Sequence, residues 1–141
     1  MDKPVIHVVA AVIVRQQKIF CAQRKNIGPL ANKWEFPGGK IEKDETPIQA
    51  LNREISEELG ISISLIDSLS TIHHEYPTFQ LHMMMFLVTT EDEILILPEH
   101  AQGGYFTVEE MQTLDWAEAD NTFVKNLGKT LNKYAFYFQN A

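Results

Sequence analysis

Apolar residues run almost unbroken over positions 5–14. After the polar pair Gln16-Gln17, a second apolar stretch covers 18–23, and the two together predict the strands of a hairpin. Residues 26–32 carry Gly28 and Pro29 and predict a loop; it leads into a short apolar stretch, residues 34–36, that Pro37-Gly38-Gly39 ends. Strand character returns over 62–74 and 80–89, separated by Glu75-Tyr76-Pro77-Thr78, and once more over 104–107.

Between these strands the period changes from two to that of a helix. Thr46-Pro47-Ile48-Gln49 combines a hydroxyl cap, a proline at the first helical position and a glutamine three residues after the cap. Gly60 follows Leu59 as a left-handed terminator, so a helix is expected over 47–59, with Ile48, Leu51, Ile55 and Leu59 facing the core. Thr107-Val108-Glu109-Glu110 repeats the capping pattern, and Phe123, Val124, Leu127, Leu131 and Tyr134 mark the apolar face of a C-terminal helix. Met83-Met84-Met85 and Trp116 read as packing residues. With no internal repeat or polar linker, the expectation is one α/β domain spanning residues 1–141, its helices flanking a central sheet.

Composition narrows the functions open to such a domain. The chain has 141 residues, 45% hydrophobic and 22% charged, which is ordinary globular composition. A formal net charge of -7 argues against a partner such as bulk nucleic acid, which needs a basic surface. The apolar run 8–14 is too short to span a membrane, Asp2 and Lys3 precede it without a signal pattern, and a cytoplasmic location is expected. Cys21 is the only cysteine, so a metal would have to bind through oxygen or imidazole.

The acidity is concentrated on the expected helix, where Glu54, Glu57 and Glu58 stand at i, i+3 and i+4 on neighbouring surface positions. Such a trio suits either a solvated helix face or a platform for a hard cation. Mg2+, with Mn2+ as a substitute, uses few protein carboxylates and completes its shell with water and substrate phosphates. His73, His74 and His82 lie on expected strands, where alternation sends neighbours to opposite faces, and a structural role is favoured for them.

Gly39, Glu45 and the run Arg53-Glu54-Ile55-Ser56-Glu57-Glu58-Leu59-Gly60-Ile61 together resemble the Nudix box at each of its defining positions. The lead-in, residues 31–42, is similar to that of MutT-like and CTP-pyrophosphohydrolase-like members. The resemblance implies an α/β/α sandwich around a mixed β-sheet. It also implies a Mg2+-dependent hydrolase that cuts a nucleoside triphosphate into a monophosphate and pyrophosphate by attack of water on the β-phosphorus, acting as a monomer or homodimer. Glu54, Glu57 and Glu58 would be metal ligands, helped by the Gly39 carbonyl, with Arg53 orienting them and Glu45 bracing the turn. Glu99 would bind metal or activate water, or else be an exposed loop carboxylate, and His100 would stand beside it or at the surface. Arg24 and Lys40 would hold phosphates, or else be solvent-exposed charges. Phe36 would line the base pocket with Asp120, a residue equally suited to capping the C-terminal helix, and Asn121 next to it is the alternative. Nucleoside diphosphates linked to another group, and a non-catalytic nucleotide-sensing module, are the competing readings.

Overall fold

The computed structural model describes residues 3–95 and 97–134. In chain order these form β1 (Val5–Arg15), β2 (Lys18–Arg24), β3 (Trp34–Glu35), β4 (Gly38–Lys40), α1 (Pro47–Leu59), β5 (Ser64–Glu75), β6 (Gln80–Thr89), β7 (His100–Phe106), α2 (Val108–Met111), α3 (Glu118–Lys125), α4 (Leu127–Thr130) and a 3₁₀ turn, Asn132–Tyr134. The sheet is mixed: its strands run β3-β2-β1-β6-β5, with β4 paired to β1 and β7 to β2. At its centre β1 lies parallel to β6, from Val5 opposite Gln80 to Val14 opposite Thr89. The β1–β2 hairpin closes through Gln16 and Gln17, whose φ of 52° and 68° give the left-handed pair that matches strand twist in a two-residue turn.

Because β1 is covered on both faces, it reads as a continuous apolar run rather than an alternation. Val9, Ala11 and Ile13 pack with Leu51, Ile55 and Leu59 of α1. Val12 and Val14 face the other way, into a core built with Met85, Leu87, Phe123 and Leu127. Helices therefore lie on both sides of the sheet, as expected. Among the described residues, no helix is long and apolar enough to cross a membrane.

The structure corrects four details. Ile48, in the first turn of α1, is 36% exposed, and Ala50 takes its expected place in the core. β7 begins at His100 rather than at 104 because β2 pairs with it along its length. The Pro37-Gly38-Gly39 stop is also a strand: β4 lies so close to β1 that a Cβ on Gly38 would stand 1.9 Å from the Val9 carbonyl oxygen, a separation open only to glycine. Finally, the expected C-terminal helix divides into α3, α4 and the 3₁₀ turn, separated at Asn126 (φ -106°), although Phe123, Val124, Leu127, Leu131 and Tyr134 are all buried.

Candidate active site

Local chemistry sets α1 in place. Thr46 accepts from the Gln49 amide while the Gln49 side chain accepts from the Thr46 amide, and Gly60 ends the helix at φ 66°. This register turns Glu58 inward, leaves Glu54 half-buried and exposes Glu57. Arg53 organises the group. Its Nε and Nη2 donate to Glu45 at 2.7 and 3.0 Å, its Nη1 to Glu54 at 2.8 Å, and its Nη2 also to the Lys40 carbonyl at 3.0 Å. Glu57 lies 3.4 Å from Nη1. Hydrogen bonding to Arg53, helped by the Glu42 amide, holds the Glu45 carboxyl down at about 2, so Glu45 is a permanent anion bracing the loop against the helix. A planar fork suits this shared role better than an ammonium.

Gly39 completes the local geometry. A Cβ there would meet the Glu54 carboxyl group at 2.3 to 2.6 Å, so the missing side chain is what lets the Glu54 carboxylate lie against the β4 backbone. Glu58 accepts from the Gly38 amide at 2.8 Å. Burial, with Glu35, Glu99 and Glu54 nearby, pushes its carboxyl up to about 8 despite that bond. Among the described residues, no three carboxylate or imidazole groups yet converge on one point. Glu54 and Glu57 are turned to Arg53, and Glu58 to Gly38, each drawn to its nearest donor.

Two recesses meet at Glu58. One, of about 260 Å³, is bordered by Arg24, Glu35, Phe36, Gly39 and Asp120 as well as Glu58. The other, of about 310 Å³, shares Arg24, Glu35 and Glu58 and adds Glu99 and His100. Glu99 thus shares a recess with Glu58, whereas Glu54 and Glu57 border neither space. His100 is buried rather than superficial, with 5% exposure. Glu35, which the sequence reading passed over, joins the two spaces by accepting from Arg24 at 3.2 Å and from His100 at 2.9 Å. The one hint was a charge inside an apolar triplet before the glycine turn. Arg24 keeps a buried Nε–H without a protein partner, a donor free for a ligand.

Phe36 stacks on Trp116 (4.9 Å between centroids, 25° between planes) and meets Phe123 edge-on at 5.5 Å. Trp116 is a packing residue, as expected, its indole N–H donating to the Met111 carbonyl. Asp120 is not a helix cap: it lies inside the first turn of α3, and its carboxylate accepts from the Phe36 amide at 3.0 Å across 84 residues of chain. Asn121 is not among the residues bordering the recess; it follows Asp120 on α3, its amide bonded to the Ala117 carbonyl. Nor is Lys40, an exposed residue of β4 that faces the site only through its carbonyl. His73 and His74 do face opposite ways. His73 meets His82 at 4.3 Å between centroids, whereas His74 pairs with Glu118 at 2.8 Å.

Burial pushes the Asp120 carboxyl up to about 7, against the opposing Phe36 amide. A carboxyl in the unfolded chain releases its proton near pH 4. Between about pH 4 and 7 the folded protein therefore holds the extra proton, and the contribution of Asp120 to stability falls as pH rises through that window. Asp120→Asn removes the titration and keeps an acceptor for Phe36. The decline in unfolding temperature from pH 5 to 8 is expected to be shallower in that variant, and equal slopes in the two proteins would contradict the assignment.

Comparison with known proteins matches this arrangement to one family. The NUDIX domain profile covers residues 5–127. The chain is 43% identical to the 8-oxo-dGTP diphosphatase of Proteus vulgaris over 90 residues, covering 63% of this chain and 80% of that protein. It is 37% identical to the CTP pyrophosphohydrolase of Escherichia coli over 115 residues, covering 82% and 85%. In fold it resembles the MutT protein of Methanosarcina mazei, with a TM-score of 0.82 and 22% identity over 92% of this chain and 96% of that one. Profile, relatives and fold agree with the glutamate-bearing helix and the glycine turn beneath it: the chain belongs to the Nudix family of hydrolases.

Proposed function

We propose that the protein is a divalent-cation-dependent hydrolase of nucleoside or deoxynucleoside triphosphates, yielding the monophosphate and pyrophosphate, with a role in clearing oxidised dGTP or surplus cytidine nucleotides. The observation that carries this reading is the position of Glu58. It borders both the recess holding Arg24 and Asp120 and the recess holding Glu99, so a base-sized pocket and an acidic face share one wall.

The donor set fits Mg2+. Glu54, Glu57, Glu58 and Glu99 offer only hard oxygens, and the missing side chain at Gly39 lets the Glu54 carboxylate lie against the β4 backbone. A cation held there would neutralise phosphate charge and acidify a water molecule. The chain's own groups supply the rest. Arg53 holds Glu54 and Glu57 in orientation. Arg24, with its free Nε–H, holds a phosphate, and Glu99 borders the space where a water can be oriented. Phe36 and Asp120 close the far end. An aspartate poised near neutrality accepts from a base amino group when ionised and donates to a carbonyl when protonated, so it can meet a cytosine edge or an oxidised-guanine edge.

A panel of standard, methylated and oxidised nucleoside triphosphates, with and without Mg2+, tests the proposal when monophosphate, pyrophosphate and orthophosphate are resolved. Cation-dependent release of monophosphate with pyrophosphate is expected. Hydrolysis confined to nucleoside diphosphates carrying another group, or nucleotide binding without hydrolysis, would overturn it.

A further inference from the structure

The β5–β6 connection reaches across the nucleotide recess and takes hold of the first turn of α3. Tyr76 and Phe79 close this connection, the Tyr76 amide donating to the Phe79 carbonyl at 2.8 Å, and their rings stack at 5.0 Å between centroids. Both border the recess that holds Asp120. Lys3 fixes the base of the connection, donating to the Tyr76 carbonyl at 3.1 Å and pairing with Glu75 at 3.4 Å.

Three consecutive residues of α3 are anchored to other elements. Glu118 pairs with His74 at 2.8 Å, the Ala119 amide donates to the Tyr76 phenol oxygen at 3.3 Å, and Asp120 accepts from the Phe36 amide at 3.0 Å. On the opposite side, the Trp34 amide donates to the Asp115 carbonyl, and the Ala117 amide to the Trp34 carbonyl, at 2.8 and 2.9 Å. The segment 115–120 is therefore a strap between β3, which carries the Phe36 side of the recess, and the β5–β6 connection, which carries the Tyr76 side. The Ala119 amide belongs to the first turn of a helix and has no partner within it, so Tyr76 supplies an acceptor the helix lacks.

We infer that Tyr76 is a positioning residue for nucleotide selection: its phenol oxygen, through the Ala119 amide, fixes Asp120 and sets the width of the recess between the Tyr76–Phe79 wall and Phe36. The inference rests on Asp120 being the group that meets the base, and it adds the device that holds Asp120 in register. Arg24 and the glutamates lie outside the strap, so its loss acts on nucleotide binding and choice rather than on the chemical step.

Tyr76→Phe keeps the ring and removes the acceptor. Steady-state kinetics with dCTP and 8-oxo-dGTP, on Mg2+-loaded protein, are expected to show KM for the better substrate raised about three- to ten-fold, the range of one net hydrogen bond, with kcat within about two-fold. The ratio of kcat/KM between the two nucleotides should shrink, and Tyr76→Phe added to Asp120→Asn should give little beyond Asp120→Asn alone. Glu118→Ala, on the exposed arm of the strap, should move KM in the same direction by less. A lowered unfolding temperature with KM and the ratio unchanged in both Tyr76→Phe and Glu118→Ala, while Asp120→Asn shifts them, would overturn the positioning role. No shift even in Asp120→Asn would overturn the reading of Asp120 beneath it.

Discussion

Glu57→Gln and Glu58→Gln are each expected to lower turnover with Mg2+ about a thousand-fold while leaving the fold intact. Ligation to a cation that neutralises transferring phosphate is worth several kcal/mol in the transition state, and about 4 kcal/mol is three decades of rate. Glutamine preserves shape but gives up the negative charge. The cost to folding is small for separate reasons. Glu57 is exposed, so its neutral substitute meets water. Glu58 is buried and its carboxyl is already driven toward the neutral form, so an amide relieves desolvation while its oxygen still accepts from Gly38. Rates with superimposable circular dichroism spectra make the measurement. Turnover within ten-fold of the native protein in both variants would remove these carboxylates from the reaction.

The two glycines before α1 should separate fold from activity. At Gly38 an added methyl meets the Val9 carbonyl oxygen at 1.9 Å and the Ala10 Cα at 2.8 Å, both fixed by strand pairing, so β4 must leave β1. Gly38→Ala is expected to cost about 3 kcal/mol or more, on the order of 10 °C in unfolding temperature for a domain this size. At Gly39 the obstacle is the end of the Glu54 side chain, which can swing aside. Gly39→Ala should therefore melt within about 3 °C of the native protein, given how little it costs to displace the flexible end of one side chain, yet lose most of its turnover because Glu54 has moved. Thermal unfolding and rate measured on both proteins decide it; equal stability of the two would contradict the close approach of β4 to β1.

The legible parts of this protein were those whose signals are local. α1 was readable to its ends because Thr46, Pro47, Gln49 and Gly60 each act on their own backbone, and β6 was bounded by turn residues on its near side. The Nudix box was readable for the same reason: its glutamates and glycine share one helix and one turn. Features made by approach in space were hidden. β4 looked like punctuation because Gly38-Gly39 serves equally as a turn and as a strand pressed against Val9. The break at Asn126 left the apolar spacing of the C-terminal segment unchanged, so periodicity read through it. Glu35 became visible only when folding brought His100 to it from 65 residues away. The sequence marks Asp120 but not the Phe36 amide that holds it, and of the two readings open to Lys40, phosphate binder or exposed charge, its absence from the recess wall favours the second.

Glu58 stands at the junction of the two recesses, and the proposed function sets the base of a triphosphate beside Asp120 with water attacking its middle phosphate. Hydrolysis of the best substrate with Mg2+ in 18O-labelled water, followed by mass analysis of both products, tests that placement most directly. Attack at the β-phosphorus leaves the label in pyrophosphate and none in the monophosphate. Label in the monophosphate, or release of labelled orthophosphate, would contradict it.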